Sequence, residues 1–263
     1  MEDVDYTVSS QEWKLVHEVT SQVDRKHFWH VARNEKILSA VKLVAPDFSN
    51  IGFLEIGSGV GNVCAYLKDA GLARVEGWEI NPDALQIARK RFPNVPFENN
   101  NFIDIPIGDQ FSCVGFFDCL EHVKNDVDCL ISIASQLPRE GYLIITVPAH
   151  QKLWSWHDSI FGHFRRYSKQ ELVRKVETAG LKVVHTQYFM ALLAPILLLR
   201  KIGAGKQVPS FAEVDRRYRA ESGVSNSVAN WLALLALRIE ASLFKNHDSG
   251  FGASLLLIAQ KKE

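Results

Sequence analysis

The chain has 263 residues, of which 47% are hydrophobic, and this length and composition can bury a substantial core. Thirty basic residues balance thirty acidic ones, so the formal net charge is zero. That balance argues against recruitment to nucleic acid or to anionic membranes by a strong positive field. The four cysteines form no C-x-x-C pair and no zinc-type spacing. Three of them fall in predicted strands or helices, and we interpret these three as small core residues of a protein in a reducing compartment.

The N-terminal ten residues are acidic and polar, so no secretory signal is predicted. No stretch reaches the roughly 18 apolar residues that a membrane span needs. The longest apolar run, residues 189–199, is interrupted by Pro195. We therefore expect a cytoplasmic protein without a transmembrane segment, with peripheral membrane contact as an alternative.

Two helices are predicted ahead of the first strand, over residues 9–20 and about 24–44. We expect this N-terminal cap, residues 1–45, to cover the ligand edge of a sheet. The second helix carries Arg33, whose guanidinium group is suited to hold a carboxylate in a bidentate manner.

Residues 51–62 read IGFLEIGSGVGN, an apolar strand followed by a glycine turn and the start of a helix. The missing side chains let a ligand lie on the backbone, and the free N–H groups of the helix start point at it. The dinucleotide fingerprint has its third glycine one residue later, where this chain has Asn62. The pattern indicates a nucleotide-type ligand with another spacing, and a bare structural turn is the alternative.

The second predicted strand, residues 74–79, ends in Glu79, and Asn81-Pro82 begins the next helix. A carboxylate about 20 residues beyond the glycines is placed to accept hydrogen bonds from both ribose hydroxyls. Further strands are predicted at 95–97, 112–118, 142–147, 181–188 and 253–259. Helices are predicted at 126–137, at 228–244 and from the Ser168 capping box to Gly180.

With Glu55 on the first strand, the E-x-G-x-G-x-G pattern resembles the first motif of class I S-adenosylmethionine (SAM) dependent methyltransferases. DCLEHV at 118–123 resembles the D-x-L-E-H-V segment of the subgroup that includes the ubiquinone-pathway O-methyltransferases. GHFRRYS at 162–168 is similar to an element of bacterial methyltransferases associated with surface-polysaccharide or lipid-linked pathways. The Asn/Asp-Pro-Pro-Tyr tetrapeptide of amino-group methylases does not occur in the sequence, so nucleobase methylation is not expected.

The resemblance implies a Rossmann-like α/β fold, the seven-stranded class I methyltransferase sandwich with strand order 3-2-1-4-5-7-6 and an antiparallel seventh strand. We predict one methyltransferase domain over residues 1–263, with a SAM-binding core of residues 46–188 plus 251–263 and a helical insertion at 189–250. The apolar segments of the insertion must be buried in the protein, in a dimer interface, or against an amphiphilic acceptor or membrane surface.

The resemblance also implies SAM as the cofactor and S-adenosylhomocysteine as the product. Asn101 stands where the family often has an acidic residue that holds the adenine amino group, and its carbonyl can accept the same hydrogen bond. The residues assigned to the cofactor lie on the cap, in the glycine turn and after strands two to four: Arg33, Glu55, Gly57, Ser58, Gly59, Gly61, Asn62, Glu79, Ile80, Asn101, Phe102, Asp118 and Leu120.

The expected reaction is methyl transfer (EC 2.1.1.-) to a small-molecule or lipid- or glycan-linked acceptor, with a hydroxyl oxygen favoured. His122, just past the fourth strand, is the first candidate for the catalytic base, with a structural hydrogen bond as its alternative, and His157 is the second candidate. The residues assigned to the acceptor are His150, His163, Arg165, Arg166 and Tyr167; the two arginines alternatively pair with nearby acids.

His150, His157 and His163 with Asp158 and Glu121 match no tight ligand spacing, so no metal is predicted. Two other functions stay open. One is a SAM-binding protein without turnover. The other is an NAD(P)-dependent oxidoreductase, disfavoured by Asn62 and by the lack of a Tyr-x-x-x-Lys dyad. The protein is expected to be a monomer or a homodimer.

Overall fold

The structure, a computed structural model, describes residues 10–47, 51–195, 227–245 and 247–262 and the single positions 212, 216 and 220. The described residues form one seven-stranded sheet. Its strands are β1 (Gly52–Ile56), β2 (Arg74–Trp78), β3 (Phe97–Glu98), β4 (Cys113–Phe117), β5 (Tyr142–Pro148), β6 (Leu181–Phe189) and β7 (Ser254–Lys261).

The strand order is β3-β2-β1-β4-β5-β7-β6. Strands β1 to β5 pair in parallel, whereas β7 runs antiparallel to both β5 and β6. The predicted fold class, strand order and antiparallel last strand are therefore confirmed.

Helices cover both faces of the sheet, because the central strands are apolar on both sides: every residue of β1 and β4 is buried. The helices include α1 (Ser10–Val23), α2 (Phe28–Val44), α3 (Asn62–Asp69), α4 (Pro82–Arg91), α5 (Asp126–Gln136), α6 (Trp156–Ile160), α7 (Lys169–Thr178) and α8 (Val228–Leu243). Residues of α5 and α7 join the core on one face, and residues of α2, α3, α4 and α8 join the core on the other.

Of the element boundaries that differ from the sequence expectation, two have a clear local cause. The second helix begins at Phe28 instead of residue 24, because the His27 ring accepts a hydrogen bond from the backbone of Trp29 and caps the helix there. The third strand is Phe97–Glu98 instead of 95–97, because the backbone N–H of Val95 closes a turn onto the carbonyl of Phe92.

The predicted helical insertion is described only in part. Residues 196–211 and 221–226, including the end of the first apolar run, lie outside the described residues. Helix α8 packs on α2: the Asn230 amide bonds to the backbone of Phe28 and Lys26, and Arg238 pairs with Glu35. Its other face exposes large apolar side chains, Val228, Trp231, Leu232, Leu235, Ile239 and Leu243.

None of the helices in the described part of the chain combines the length and the apolar character that a bilayer crossing requires.

Candidate active site

A cavity of about 700 Å³ lies at the carboxyl ends of β1, β2 and β4, under the N-terminal cap. Ligands of open parallel α/β sheets bind at this edge. Most residues that the sequence assigns to cofactor and acceptor meet in the lining: Arg33, Glu55, Gly57, Ser58, Gly59, Asn62, Glu79, Ile80, Asn101, Phe102, Asp118, His122, His157, His163 and Arg166.

The glycine turn after β1 opens the backbone to this cavity. Gly57 and Gly59 have positive φ angles of 71° and 53°, which side-chain-bearing residues rarely adopt. A Cβ atom on Gly57 would lie 2.4 Å from the sulfur of Cys119, whereas one on Gly59 would meet nothing within 4 Å. The chain is therefore tight at Gly57 and leaves free space above Gly59, where a ligand can lie against the backbone.

Glu79 follows β2 and fixes the shape of this turn. Its two carboxylate oxygens accept hydrogen bonds from the backbone of Gly59 and Asn81, each at 2.7 Å. Burial raises the pKa of Glu79, and these backbone N–H groups oppose that rise. An ionised carboxylate has about four acceptor sites, so the carboxylate of Glu79 keeps acceptor capacity for a ligand.

Glu55 lies beneath the turn, on β1. One of its oxygens accepts hydrogen bonds from the backbone N–H and the thiol of Cys64, at 3.1 and 2.9 Å. Burial raises the pKa of Glu55 to about 7, more than these hydrogen bonds lower it. Glu55 therefore ties helix α3 to β1, at the cost of holding a carboxyl group whose ionisation is unfavourable in the folded state.

Replacing Glu55 with glutamine is expected to flatten the pH dependence of stability. A raised pKa means that the folded protein binds more protons than the unfolded one between pH 4.5 and about 7, so wild-type stability falls as pH rises through this window. Urea unfolding at pH 5 and pH 8 should show wild type losing about 2–3 kcal/mol relative to Glu55→Gln. Parallel pH profiles would contradict a raised pKa.

Arg33 of the cap reaches the end of β4. Its Nε atom pairs with a carboxylate oxygen of Asp118, and its guanidinium lies 5.5 Å from the ring of Trp29 and 6.0 Å from that of Phe117. Asp118 has a positive φ of 50°, which turns the chain sharply at this point. The other guanidinium N–H donors of Arg33 are suited to a ligand carboxylate.

On the far side of Glu79, Asn101 and its neighbours line the cavity. The side-chain oxygen of Asn101 accepts a hydrogen bond from the backbone of Ile103 at 3.1 Å, and the ring of Phe102 packs edge-on against Phe116. Ile80 is an exposed apolar residue that also lines the cavity. These side chains form a partly apolar wall suited to a flat ring.

A buried charge network lies on the other side of the cavity. Asp158 is 1% exposed and accepts hydrogen bonds from Arg166 at 2.7 and 2.9 Å and from His163 Nδ1 at 2.9 Å. The backbone of Ser155 also donates to it, which starts α6. Burial raises the pKa of Asp158, but the hydrogen bonds from His163 and Arg166 outweigh it and hold the pKa below its ordinary value.

Glu121, His122 and His163 meet beside this network. The ring centroids of the two histidines are 4.7 Å apart and nearly perpendicular, and His163 Nε2 lies 4.0 Å from a carboxylate oxygen of Glu121. Burial and the neighbouring carboxylate of Asp118 raise the pKa of Glu121. Burial and the proximity of His163 lower the pKa of His122 to about 3, so its ring is neutral at physiological pH.

Two of the residues assigned to the cofactor do not line the cavity. Gly61 supports the turn from behind: a Cβ atom there would lie 2.6 Å from the ring of Phe97. Leu120 is fully buried and belongs to the hydrophobic core. Both residues shape the site without facing it.

Three of the residues assigned to the acceptor also lie outside the lining. His150 is stacked between the rings of Tyr188 and Phe251, at centroid distances of 4.7 and 4.4 Å. Arg165 pairs with Asp126, and the Tyr167 hydroxyl donates to the same carboxylate at 2.9 Å. The sequence left open that Arg165 pairs with a nearby acid, and the structure shows this pairing.

Sequence reasoning missed the central position of Asp158. It weighed this residue only as a metal ligand, in one group with His150, His157, His163 and Glu121. Ser155 and Asp158 have the three-residue spacing of a helix start, and this was the signal available in the sequence.

A family model described as "Methyltransferase domain" matches residues 28–186, which is more than half of the chain. A demethylmenaquinone methyltransferase of Chlorobaculum parvum is 33% identical over 57 residues, which cover 22% of this chain and 24% of that relative.

Solved structures show the same fold at low identity. Phosphoethanolamine N-methyltransferase 2 of Haemonchus contortus, in complex with phosphomonomethylethanolamine and S-adenosylhomocysteine, has a TM-score of 0.58 and 14% identity over 87% of this chain and 53% of that one. This chain thus matches about half the length of that structure. Magnesium protoporphyrin IX methyltransferase of Synechocystis, with bound S-adenosylhomocysteine, has a TM-score of 0.53 and 14% identity over 89% and 84%.

Proposed function

The chain belongs to the methyltransferase family whose domain model covers residues 28–186, and on that premise we propose that it transfers the methyl group of SAM to a hydroxyl of a small-molecule or lipid- or glycan-linked acceptor. The observation that carries the proposal is the backbone left open at Gly59 beside the buried carboxylate of Glu79. Membership in this family argues against the alternative of an NAD(P)-dependent oxidoreductase.

The cofactor half of the cavity fits the parts of SAM. The acceptor sites left on Glu79 suit the ribose hydroxyls, and the wall formed by Ile80, Asn101 and Phe102 suits the adenine ring. Arg33 has guanidinium donors for the carboxylate of the amino-acid moiety. When bound, SAM supplies an electrophilic methyl group on a positively charged sulfur.

The acceptor half lies next to it, around His122, His157 and His163. The protein must hold the acceptor oxygen in line with the methyl group, exclude water and allow the hydroxyl proton to leave. His122 is the residue on which we expect deprotonation to depend. His157 and Phe161 pack ring against ring in the same wall, at a centroid distance of 4.5 Å, and would close over an acceptor.

The exposed apolar face of α8 supports a lipid-linked acceptor as one branch of this proposal. The partly apolar cavity of the protein also suits an acceptor with a small aromatic or quinol hydroxyl.

Calorimetry with SAM, S-adenosylhomocysteine and NAD, followed by transfer of a radiolabelled methyl group to quinol, sugar and polyprenyl-linked acceptors, tests the proposal. SAM binding without transfer to any acceptor would favour a SAM-binding protein without turnover.

Replacing Glu79 with alanine is expected to weaken SAM binding by about 1.5–3 kcal/mol, the range for hydrogen bonds to a charged group, or about 10- to 150-fold in Kd. Isothermal titration calorimetry measures this. Glu98→Ala is the matched control, because Glu98 ends the neighbouring strand, is half-exposed and pairs with Arg89 at the surface. Glu79→Gln removes the negative charge but keeps the size of the side chain, so it tells the two contributions apart. Wild-type SAM affinity in Glu79→Ala would refute the assignment of Glu79 to the ribose hydroxyls.

A further inference from the structure

We propose that Glu121, His122 and His163 form a site for one divalent cation of the Zn²⁺, Fe²⁺ or Mn²⁺ class, and that this cation binds the acceptor oxygen. The proposal deepens the proposed function and rests on it for the acceptor, whereas the cation site rests on the geometry of the three side chains. No metal was predicted from the sequence, because the fold brings together residues 121–122 and 163 that share no local spacing.

The three side chains offer the donor set that such cations prefer. Each contributes one ligand atom, two imidazole nitrogens and one carboxylate oxygen, and these atoms lie within 4.8 Å of one another. In a bound tetrahedral site with bonds of about 2.1 Å, ligand atoms lie roughly 3.4 Å apart, so small side-chain rotations close the site. Two histidines and one carboxylate leave further coordination positions open, as in catalytic metal sites.

The burial and the hydrogen bonding of the Glu121 carboxylate give a second, independent observation. Its side chain is 1% exposed and lines the cavity. Among the described residues, neither of its carboxylate oxygens has a hydrogen-bond partner. Arg33, a basic residue of the cap that also lines the cavity, is paired with Asp118. A buried carboxylate without partners is costly, and a bound cation would satisfy both its charge and its lone pairs.

His163 is held in the orientation that a metal ligand needs. Its Nδ1 atom is bonded to Asp158 at 2.9 Å, and Arg166 fixes that carboxylate from the other side. Because Nδ1 donates its hydrogen to Asp158, the lone pair is on Nε2, which faces Glu121 at 4.0 Å. Metal-binding histidines are typically oriented by such a carboxylate.

The position also fits the reaction. All three side chains line the cavity on its acceptor side, so an open coordination position would face the acceptor. A cation there would bind the acceptor hydroxyl and lower its pKa, and the proton would pass to solvent. The oxygen then forms a bond to the methyl carbon as the carbon–sulfur bond breaks, and the sulfur keeps that electron pair and becomes a neutral thioether.

The test uses the untagged full chain, freed of metal with EDTA and titrated with Zn²⁺ or Mn²⁺ alone in a calorimeter. We expect one cation per chain, and an affinity at least 10-fold lower in Glu121→Gln and His163→Ala. Co²⁺ gives a second readout, since its visible absorption reports nitrogen and oxygen ligands. His185→Ala is the matched control, because this histidine lies on β6 and outside the cavity lining.

Absence of stoichiometric binding, or equal affinity in wild type and His163→Ala, would overturn the proposal. Turnover that is insensitive to EDTA but lost in His163→Ala would also overturn it, because His163 would then act as a base oriented by Asp158. Failure of the methyltransferase proposal can be distinguished from failure of the cation site. It would appear as a lack of SAM binding in calorimetry, whether or not the cation binds.

Discussion

Replacing His122 with alanine is expected to lower turnover by about 10²- to 10⁴-fold, the range for loss of a group that assists proton transfer, while the affinity for SAM is kept. The reason is position. His122 follows β4 and lies next to His163, on the side of the cavity that we assign to the acceptor, whereas Glu79 and Gly59 lie on the side that we assign to the cofactor. Single-turnover methyl transfer at saturating SAM, together with calorimetry, measures the two effects separately.

Because the His122 ring is largely buried, the variant must first be shown to fold, by its thermal midpoint and by its SAM affinity. His185→Ala serves again as a control for the loss of an imidazole group away from the cavity. Unchanged turnover in a folded His122→Ala protein would show that deprotonation does not depend on this residue. A parallel fall of SAM affinity would instead point to a role in the structure of the site.

The sheet could be predicted from the sequence because its strands are local patterns. β1 and β5 are short apolar runs bounded by glycine or proline, and each is buried over nearly its whole length. The order of the strands in the sheet could not be predicted from local patterns. It followed from the resemblance carried by the glycine turn and DCLEHV, since no local pattern states that β7 lies between β5 and β6.

For the residues that we assign to the cofactor, a common position in the cavity lining could be predicted from the sequence for a geometric reason. In a parallel sheet, residues that follow successive strands meet at one edge, so Gly59, Glu79 and Asp118 could be placed together without knowing any side-chain conformation. The sequence did not show, however, that the side chain of Leu120 is buried in the core, which follows from the short 3-10 turn that the chain enters after β4.

The side of the cavity that we assign to the acceptor could not be predicted in the same way. Residues 150–167 hold several histidines and arginines with no repeating spacing, and tertiary contacts decide which of them face the cavity. His150 turns away because aromatic rings enclose it, and Arg165 because it pairs with Asp126. Arg166, one residue on, turns inward to Asp158. Adjacent arginines thus have different surroundings that only the folded chain distinguishes.

Removing the carboxylate of Asp158 is expected to cost about 3–5 kcal/mol of unfolding free energy, the largest stability effect that we expect in this chain. Asp158 and Arg166 pair through two hydrogen bonds, with side-chain exposures of 1% and 8%. Asp158→Ala leaves the guanidinium buried without a counter charge and also frees His163 from its fixed orientation. Urea unfolding at neutral pH measures the loss, with Asp248→Ala as the control for a surface acid paired with Lys169.

The double variant Asp158→Leu with Arg166→Met tells charge burial apart from packing. If the cost of the single change comes from an unpaired buried charge, removing both charges should restore most of the lost stability, since a buried ion pair contributes little more than an apolar pair of similar volume. Turnover should nevertheless stay low in the double variant, because His163 has lost the carboxylate that directs its Nε2 toward Glu121. A double variant as unstable as Asp158→Ala would contradict the charge explanation, and one with wild-type turnover would show that the network serves the fold alone.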